Sequence, residues 1–190
     1  MKNIKSKIIS MVLVVSLIMS LSVGVYAYKV THEGGYDNYP AYFKCYNGFS
    51  QATITAIHNS CLAWNGTHSS ALTYRNTTTH SNTTYPQYNS VNEFTKGYRG
   101  TNKYLMQTTA FSIDDNYSIC EADIDFNVSH DFGTASTSYD VQTAVTHEMG
   151  HALGLDHSSN KSAIMYESLA KGVKRSIHSD DIAGIAAIYN

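Results

Sequence analysis

No basic run and no long acidic tail occurs in the chain, whose 13 Lys and Arg against 15 Asp and Glu give a formal net charge of −2. A nucleic-acid partner held by charge is therefore excluded. Cysteine is scarce. Cys45, Cys61 and Cys120 allow at most one internal bridge and leave one thiol over, and their spacing does not choose the pair. Proline occurs only as Pro40 and Pro86. No internal repeat and no linker interrupts residues 28–190, which excludes a string of small modules. A length of 190 residues suits one domain and not comfortably two.

The N-terminus has the pattern of a targeting segment. Lys2, Lys5 and Lys7 precede an apolar run from Ile8 to Val25, and Val25-Tyr26-Ala27 has an imperfect small-x-small form. Residues 1–27 are expected to be a signal peptide cleaved after Ala27, leaving residues 28–190 as the working domain. The competing reading is an uncleaved membrane anchor, since the run is long enough to span a bilayer. Either way the domain lies outside the cytoplasm. The 15 tyrosines, with many Asn, Ser and Thr, suit the polar surface of an exported protein.

The stretch around which the chain is organised is His147-Glu148-Met149-Gly150-His151-Ala152-Leu153-Gly154-Leu155-Asp156-His157. His147 and His151 are four residues apart. On a helix that spacing stacks two imidazoles on one face, able to grip one metal ion. Glu148 follows the first His directly, so its carboxylate reaches a water on the metal without being a ligand. Gly154 is placed to take positive φ, end the helix and turn the chain, bringing His157 round as a third ligand. Three neutral imidazoles with a fourth position left for water describe a catalytic zinc site. A bare HExxH also arises by chance on ordinary helices; the extension to HExxHxxGxxH is far more specific.

Met165 follows within Ala163-Ile164-Met165-Tyr166. The long motif followed by this Met-turn resembles the metzincin metalloproteases, and most closely the matrixins. Ser158 after the third His, and Ser179-Asp180-Asp181-Ile182-Ala183-Gly184-Ile185 near the C-terminus, are similar to matrixin features. The close match runs from about Thr137 to Asn190; upstream it is a pattern of elements. The resemblance implies an α/β fold (α+β in some schemes) of the metzincin, zincin-like type: a twisted, mostly parallel sheet of about five strands, two long helices and a C-terminal helix. It also implies that Met165 packs below the zinc and that residues 167–178 wall the pocket for the substrate residue after the scissile bond. Tyr104–Phe111 would be the antiparallel edge strand on the rim of the cleft.

The chain departs from the vertebrate members in three places. Their Pro-Arg-Cys-Gly latency motif is absent. Their His-x-Asp structural-zinc pattern is absent from residues 76–90, so no second zinc is expected. Calcium has no clear motif; Asp114-Asp115-Asn116 could bind it but reads first as a solvated turn. Tyr166 directly follows Met165 and is not expected to be a ligand.

Hydrophobic period and turn residues outline the remaining elements. A strand is expected over Ala41–Tyr46, then a helix over about Gln51–Trp64 capped by Ser50, with Ile54, Ile57, His58, Cys61 and Trp64 as its apolar stripe. His58 is expected to be a packed core histidine. Short strands are expected over Ala71–Arg75 and Val91–Phe94, with a polar loop holding His80 between them. Ile119–Asn127 alternates and predicts a half-exposed strand. The site helix is expected over about Tyr139–Leu153, with its cap supplied from Thr137–Asp140. Ser179 would cap the last helix, with Ile182, Ile185, Ala186 and Tyr189 in the core. His130 reads as a surface-loop residue, support of the metal site being the alternative. Cys45 reads as buried or bridged, with capping of a zinc as the alternative.

The expected function is that of a secreted zinc endopeptidase acting as a monomer on proteins or peptides. His147, His151 and His157 would hold one zinc ion, and Glu148 would be the catalytic base. The alternative is a zinc-containing extracellular binding protein without turnover, against which the intact Glu148 speaks.

Overall fold

The computed structural model describes residues 27–37, 40–84, 86–112 and 118–190. The expected signal segment, apart from Ala27, and the Asp114–Asn116 turn lie outside the described residues.

The central sheet has five strands: β2 (Ala41–Tyr46), β3 (Thr73–His80), β4 (Asn92–Gly97), β5 (Met106–Phe111) and β6 (Glu121–Asn127), where β1 (Lys29–Val30) lies outside it. Their order across the sheet is β3-β2-β4-β6-β5. The first four run parallel, and β5 alone is antiparallel, forming one edge. Two helices precede the third: α1 (Gln51–Asn65) and α2 (Val141–Ala152), with α3 (Ser179–Ile188) closing the chain. Short ladders complete the fold. β7 (Phe132–Gly133) pairs with β8 (Tyr139–Asp140), and β1 pairs with β9 (Leu155–Asp156) directly before His157. The expected mixed architecture with a mostly parallel sheet is what the molecule adopts.

Ser50 caps α1 by accepting from the Thr53 N–H at 3.2 Å, and Asp140 caps α2 by accepting from the Thr143 N–H at 2.8 Å. The two helices are fastened together. Trp64, fully buried, donates its indole N–H to the Thr146 carbonyl at 2.8 Å, and the Ser60 and Thr146 hydroxyls meet at 2.8 Å. Their contact fixes α2 against a core that includes Phe43, Phe94, Ile124 and Met149.

Several expectations are corrected. β3 continues to His80 through a stretch expected to be loop. Its Thr77, Thr78 and Thr79 are exposed on an edge strand, where Thr is a good strand former despite its polarity. β6 is not half-exposed: all seven residues are buried. Its carboxylates face inward because backbone donors meet them there. Glu121 accepts from the Asn89 and Ser90 N–H groups, and Asp123 accepts from Gln87 at 3.1 Å and Glu93 at 2.9 Å. Asp125 takes the Arg99 guanidinium at 2.8 Å and the Tyr104 hydroxyl at 2.9 Å. His58 is exposed on α1, because Ala56, Ile57 and Ser60 occupy the buried face instead. Ile182 is also exposed. The cap of α3 is His178, in a reciprocal box with Asp181, in place of Ser179. All three cysteines are free; burial raises the Cys45 thiol to about 11 and the Cys61 thiol to about 12, so both are inert.

Candidate active site

α2 carries His147, Glu148 and His151 one turn apart, and Gly154 ends the run. Its φ of 100° is one that a side chain rarely adopts, and a Cβ there would lie 2.8 Å from the His32 carbonyl oxygen. The turn delivers His157 to the other two rings. One ring nitrogen of each of the three histidines lies within 4.8 Å of the others.

The orientation of two rings is set by backbone carbonyls. His147 Nδ1 donates to the Ile164 carbonyl at 2.8 Å, and His151 Nδ1 donates to the Leu155 carbonyl at 2.7 Å. A carbonyl only accepts, so both Nδ1 atoms carry hydrogen and both Nε2 atoms present lone pairs. Those two Nε2 atoms are 3.1 Å apart. Two lone pairs at that distance repel unless a cation lies between them. Nitrogens about 2.0–2.1 Å from one tetrahedral ion would sit roughly 3.3 Å apart, so the donor set fits a zinc ion. A shared proton does not fit. Burial first, and then a charge on His151, would push the His147 imidazolium down to about 3. Burial lowers His157 as well.

The third element of the site is the Met-turn, which is anchored from α3. The Asp181 carboxylate is fully buried and accepts from the backbone N–H of Ile164 at 2.9 Å, Met165 at 3.1 Å and His178 at 2.7 Å. It therefore holds the carbonyl that orients His147. Asp180 accepts from the Ser158 hydroxyl at 2.6 Å, securing the chain just after His157. Both acids lie in the first turn of α3, where they also suit its positive end. Met165 is buried against α2 at Gly150.

Glu148 is 8 % exposed and faces the cleft between α2 and β5. Burial raises its carboxyl above the ordinary value, while charge on His151 and a hydrogen bond from Thr108 act in the opposite direction. Two cavities flank it. One, of about 230 Å³, is lined by Met106, Ala144, Ile164, Tyr166, Leu169 and Arg175. Its Arg175 guanidinium lies 5.3 Å over the Tyr166 ring. The other, of about 380 Å³, is lined by His32, Thr108, Ala110, His151 and Leu155. Both border Glu148 and His157. His130 is elsewhere, with Nε2 3.2 Å from the Lys103 carbonyl, and takes no part. His80 pairs with the Phe94 carbonyl and Glu93, also apart from the site.

The family model described as Matrixin matches residues 50–190, three quarters of the chain. The chain is a matrixin. Among similar proteins, metalloendoproteinase 1-MMP of Arabidopsis thaliana is 43 % identical over 58 residues, covering 30 % of this chain and 16 % of that protein. Human neutrophil collagenase is 39 % identical over 69 residues, covering 35 % of this chain and 15 % of its own. Human matrilysin is 44 % identical over 48 residues, covering 24 % of this chain and 18 % of its own. The matched segment thus spans less than a fifth of each of these relatives. The matrixin family implies zinc as the metal, and the three histidines form a cluster that could hold a metal ion.

Proposed function

We propose that this matrixin is an exported endopeptidase in which His147, His151 and His157 hold one zinc ion and Glu148 is the general base. The observation that carries the reading is the pair of carbonyl-oriented imidazoles whose free Nε2 atoms face each other at 3.1 Å, beside a buried carboxylate. Zinc bound there would supply a Lewis acid that acidifies water and polarises a carbonyl.

The protein's own groups do the rest. The Ile164 and Leu155 carbonyls hold the rings in the ligating tautomer and raise their basicity. Glu148 takes the proton of the attacking water and returns it to the leaving amine. Burial raises its pKa, which makes the carboxylate a better proton acceptor. The flanking cavities suit side chains on either side of the scissile bond, with the smaller one receiving the residue that follows it.

An extended peptide would add a strand to β5. The Asn127 N–H donates to the Leu105 carbonyl at 3.0 Å, and the pairing keeps register from Met106↔Phe126 to Phe111↔Glu121. Bonding alternates along an antiparallel ladder, so Gln107, Thr109 and Phe111 turn their backbone groups to β6. Met106, Thr108 and Ala110 offer theirs to the open edge.

The test is zinc stoichiometry beside cleavage of an unfolded protein, before and after chelation and with zinc restored. The reading predicts one zinc per chain, activity that disappears with chelation, and recovery with the metal. Fully loaded protein that cleaves nothing would favour a binding protein instead.

A further inference from the structure

We propose that Thr108 is a positioning residue for Glu148, its hydroxyl fixing the carboxylate from the strand that receives substrate. The proposal rests on the general-base reading above. Thr108 Oγ1 lies 2.8 Å from Glu148 Oε2 and 2.8 Å from the Glu148 carbonyl oxygen. The two residues are 40 apart in sequence, and the packing of α2 against β5, at the edge of the sheet, brings them together.

A hydroxyl has one hydrogen to give and lone pairs to accept with. Facing ionised Glu148, it donates to Oε2 and leaves Oε1 for the attacking water. A proton taken at Oε1 leaves that bond in place. A proton carried on Oε2 reverses it: Oε2–H donates to Oγ1, and the hydroxyl hydrogen turns to the Glu148 carbonyl. One threonine therefore serves both states of the base, and no bond changes beyond the O–H bonds that proton transfer already requires. The Thr108 backbone also hydrogen-bonds the buried Glu148 carboxylate, so this one residue holds it through both its hydroxyl and its main chain.

The position of Thr108 also matters. Its side chain reaches α2 while its backbone N–H and C=O face the open edge of β5. Seating a peptide on that edge and aiming the base are thus done by one residue. Thr109, its neighbour, points its backbone into the sheet and its side chain to the other face.

The experiment compares wild type, Thr108→Val and Thr108→Ser for zinc content and for kcat and KM on a quenched fluorescent peptide, with crystal structures of the zinc-loaded wild type and valine variant. Valine keeps the shape and removes the hydroxyl. Expected are full zinc in all three, KM for Val within about twofold of wild type, kcat lower by roughly ten- to hundredfold, and serine restoring most of the loss. The Glu148 carboxylate should be displaced in the valine structure with the histidines unmoved. An unchanged kcat, a loss expressed in KM, a serine variant as poor as valine, or an unmoved carboxylate would each overturn the proposal. Should the valine variant not accumulate, Thr108→Ala gives the same comparison. Wild type inert on every peptide would defeat the endopeptidase reading alone; the two structures would still decide whether Thr108 holds Glu148.

Discussion

Gly150 and Met165 share one space: the Met165 sulfur lies where a side chain on Gly150 would begin, and Trp64 Cζ2 is 2.9 Å from the same point. Met165 is 1 % exposed and Trp64 0 %, so neither can swing into solvent. Gly150 is what lets the Met-turn lie flat against α2. Gly150→Ala is expected to destabilise the fold by about 1–3 kcal/mol through overpacking. Because Ile164, beside Met165, orients His147, zinc affinity should fall too. Denaturant unfolding and zinc titration measure both, and a variant unchanged in either would contradict this packing account.

Acid should remove zinc late. His147 and His157 both have lowered pKa values, His147 down to about 3, so protons compete weakly for the ligating nitrogens. Zinc content followed on acidification should show a midpoint well below the ordinary histidine value of about 6.5. The metal-free protein has its own signature. A depressed histidine pKa favours the neutral form in the fold, so that stability is present above about pH 6.5 and declines as pH falls toward 3. Zinc release centred at or above 6.5 would speak against the ligand assignment.

Asp123 should act with the opposite sign. Burial, opposed by backbone hydrogen bonds from Gln87 and Glu93, raises its carboxyl to about 7. The folded state therefore holds a proton that the unfolded chain releases near 4. The contribution to stability is full below that point and is lost as pH rises through 7, with a slope of at most about 1.4 kcal/mol per pH unit. Asp123→Asn should flatten this part of the profile. Thermal melts between pH 5.5 and about 8.5 decide it, and an identical slope in the variant would contradict the assignment.

The open edge of β5 makes adjacent positions respond differently to proline. Ala110→Pro removes a donor facing the cleft, so KM should rise about tenfold with a modest change in stability. Thr109→Pro removes a donor to β6 and should destabilise the sheet by about 3 kcal/mol or more. Peptide kinetics and melting of the two variants test this, and equal effects would mean that the ladder alternates otherwise.

What could be read from sequence was what depends on spacing within one element. The histidine pair of α2, the turn at Gly154 and the third histidine are all local geometry, and the Met-turn follows a few residues later. The mostly parallel sheet was expected from the resemblance to matrixins and from no local pattern, since β3 to β6 follow one another with no helix between them. What escaped notice was contact between distant segments. Nothing in the local pattern of Thr108 marks it as a partner of Glu148, and nothing near Asp181 says that it holds Ile164 and Met165. The acids of β6 misled for a related reason. Glu121, Asp123 and Asp125 alternate with apolar residues as exposed side chains would, yet they are buried because loop N–H groups and Arg99 come to meet them. The Thr run of β3 misled through polarity, which an edge strand tolerates. Gly150, an unmarked position of the motif, owes its role to Met165 and Trp64 from other segments.

The account stands most directly on Glu148, and one comparison tests it: zinc content and cleavage of an unfolded protein, measured side by side for wild type and Glu148→Ala. The Glu148 carboxylate bonds to Thr108, whereas the Ile164 and Leu155 carbonyls orient the imidazoles of His147 and His151. The variant is expected to keep one zinc per chain while turnover falls by about 10²–10⁴-fold, the usual contribution of a general base. A Glu148→Ala protein that cleaves its substrate at near wild-type rate with zinc bound would contradict the mechanism.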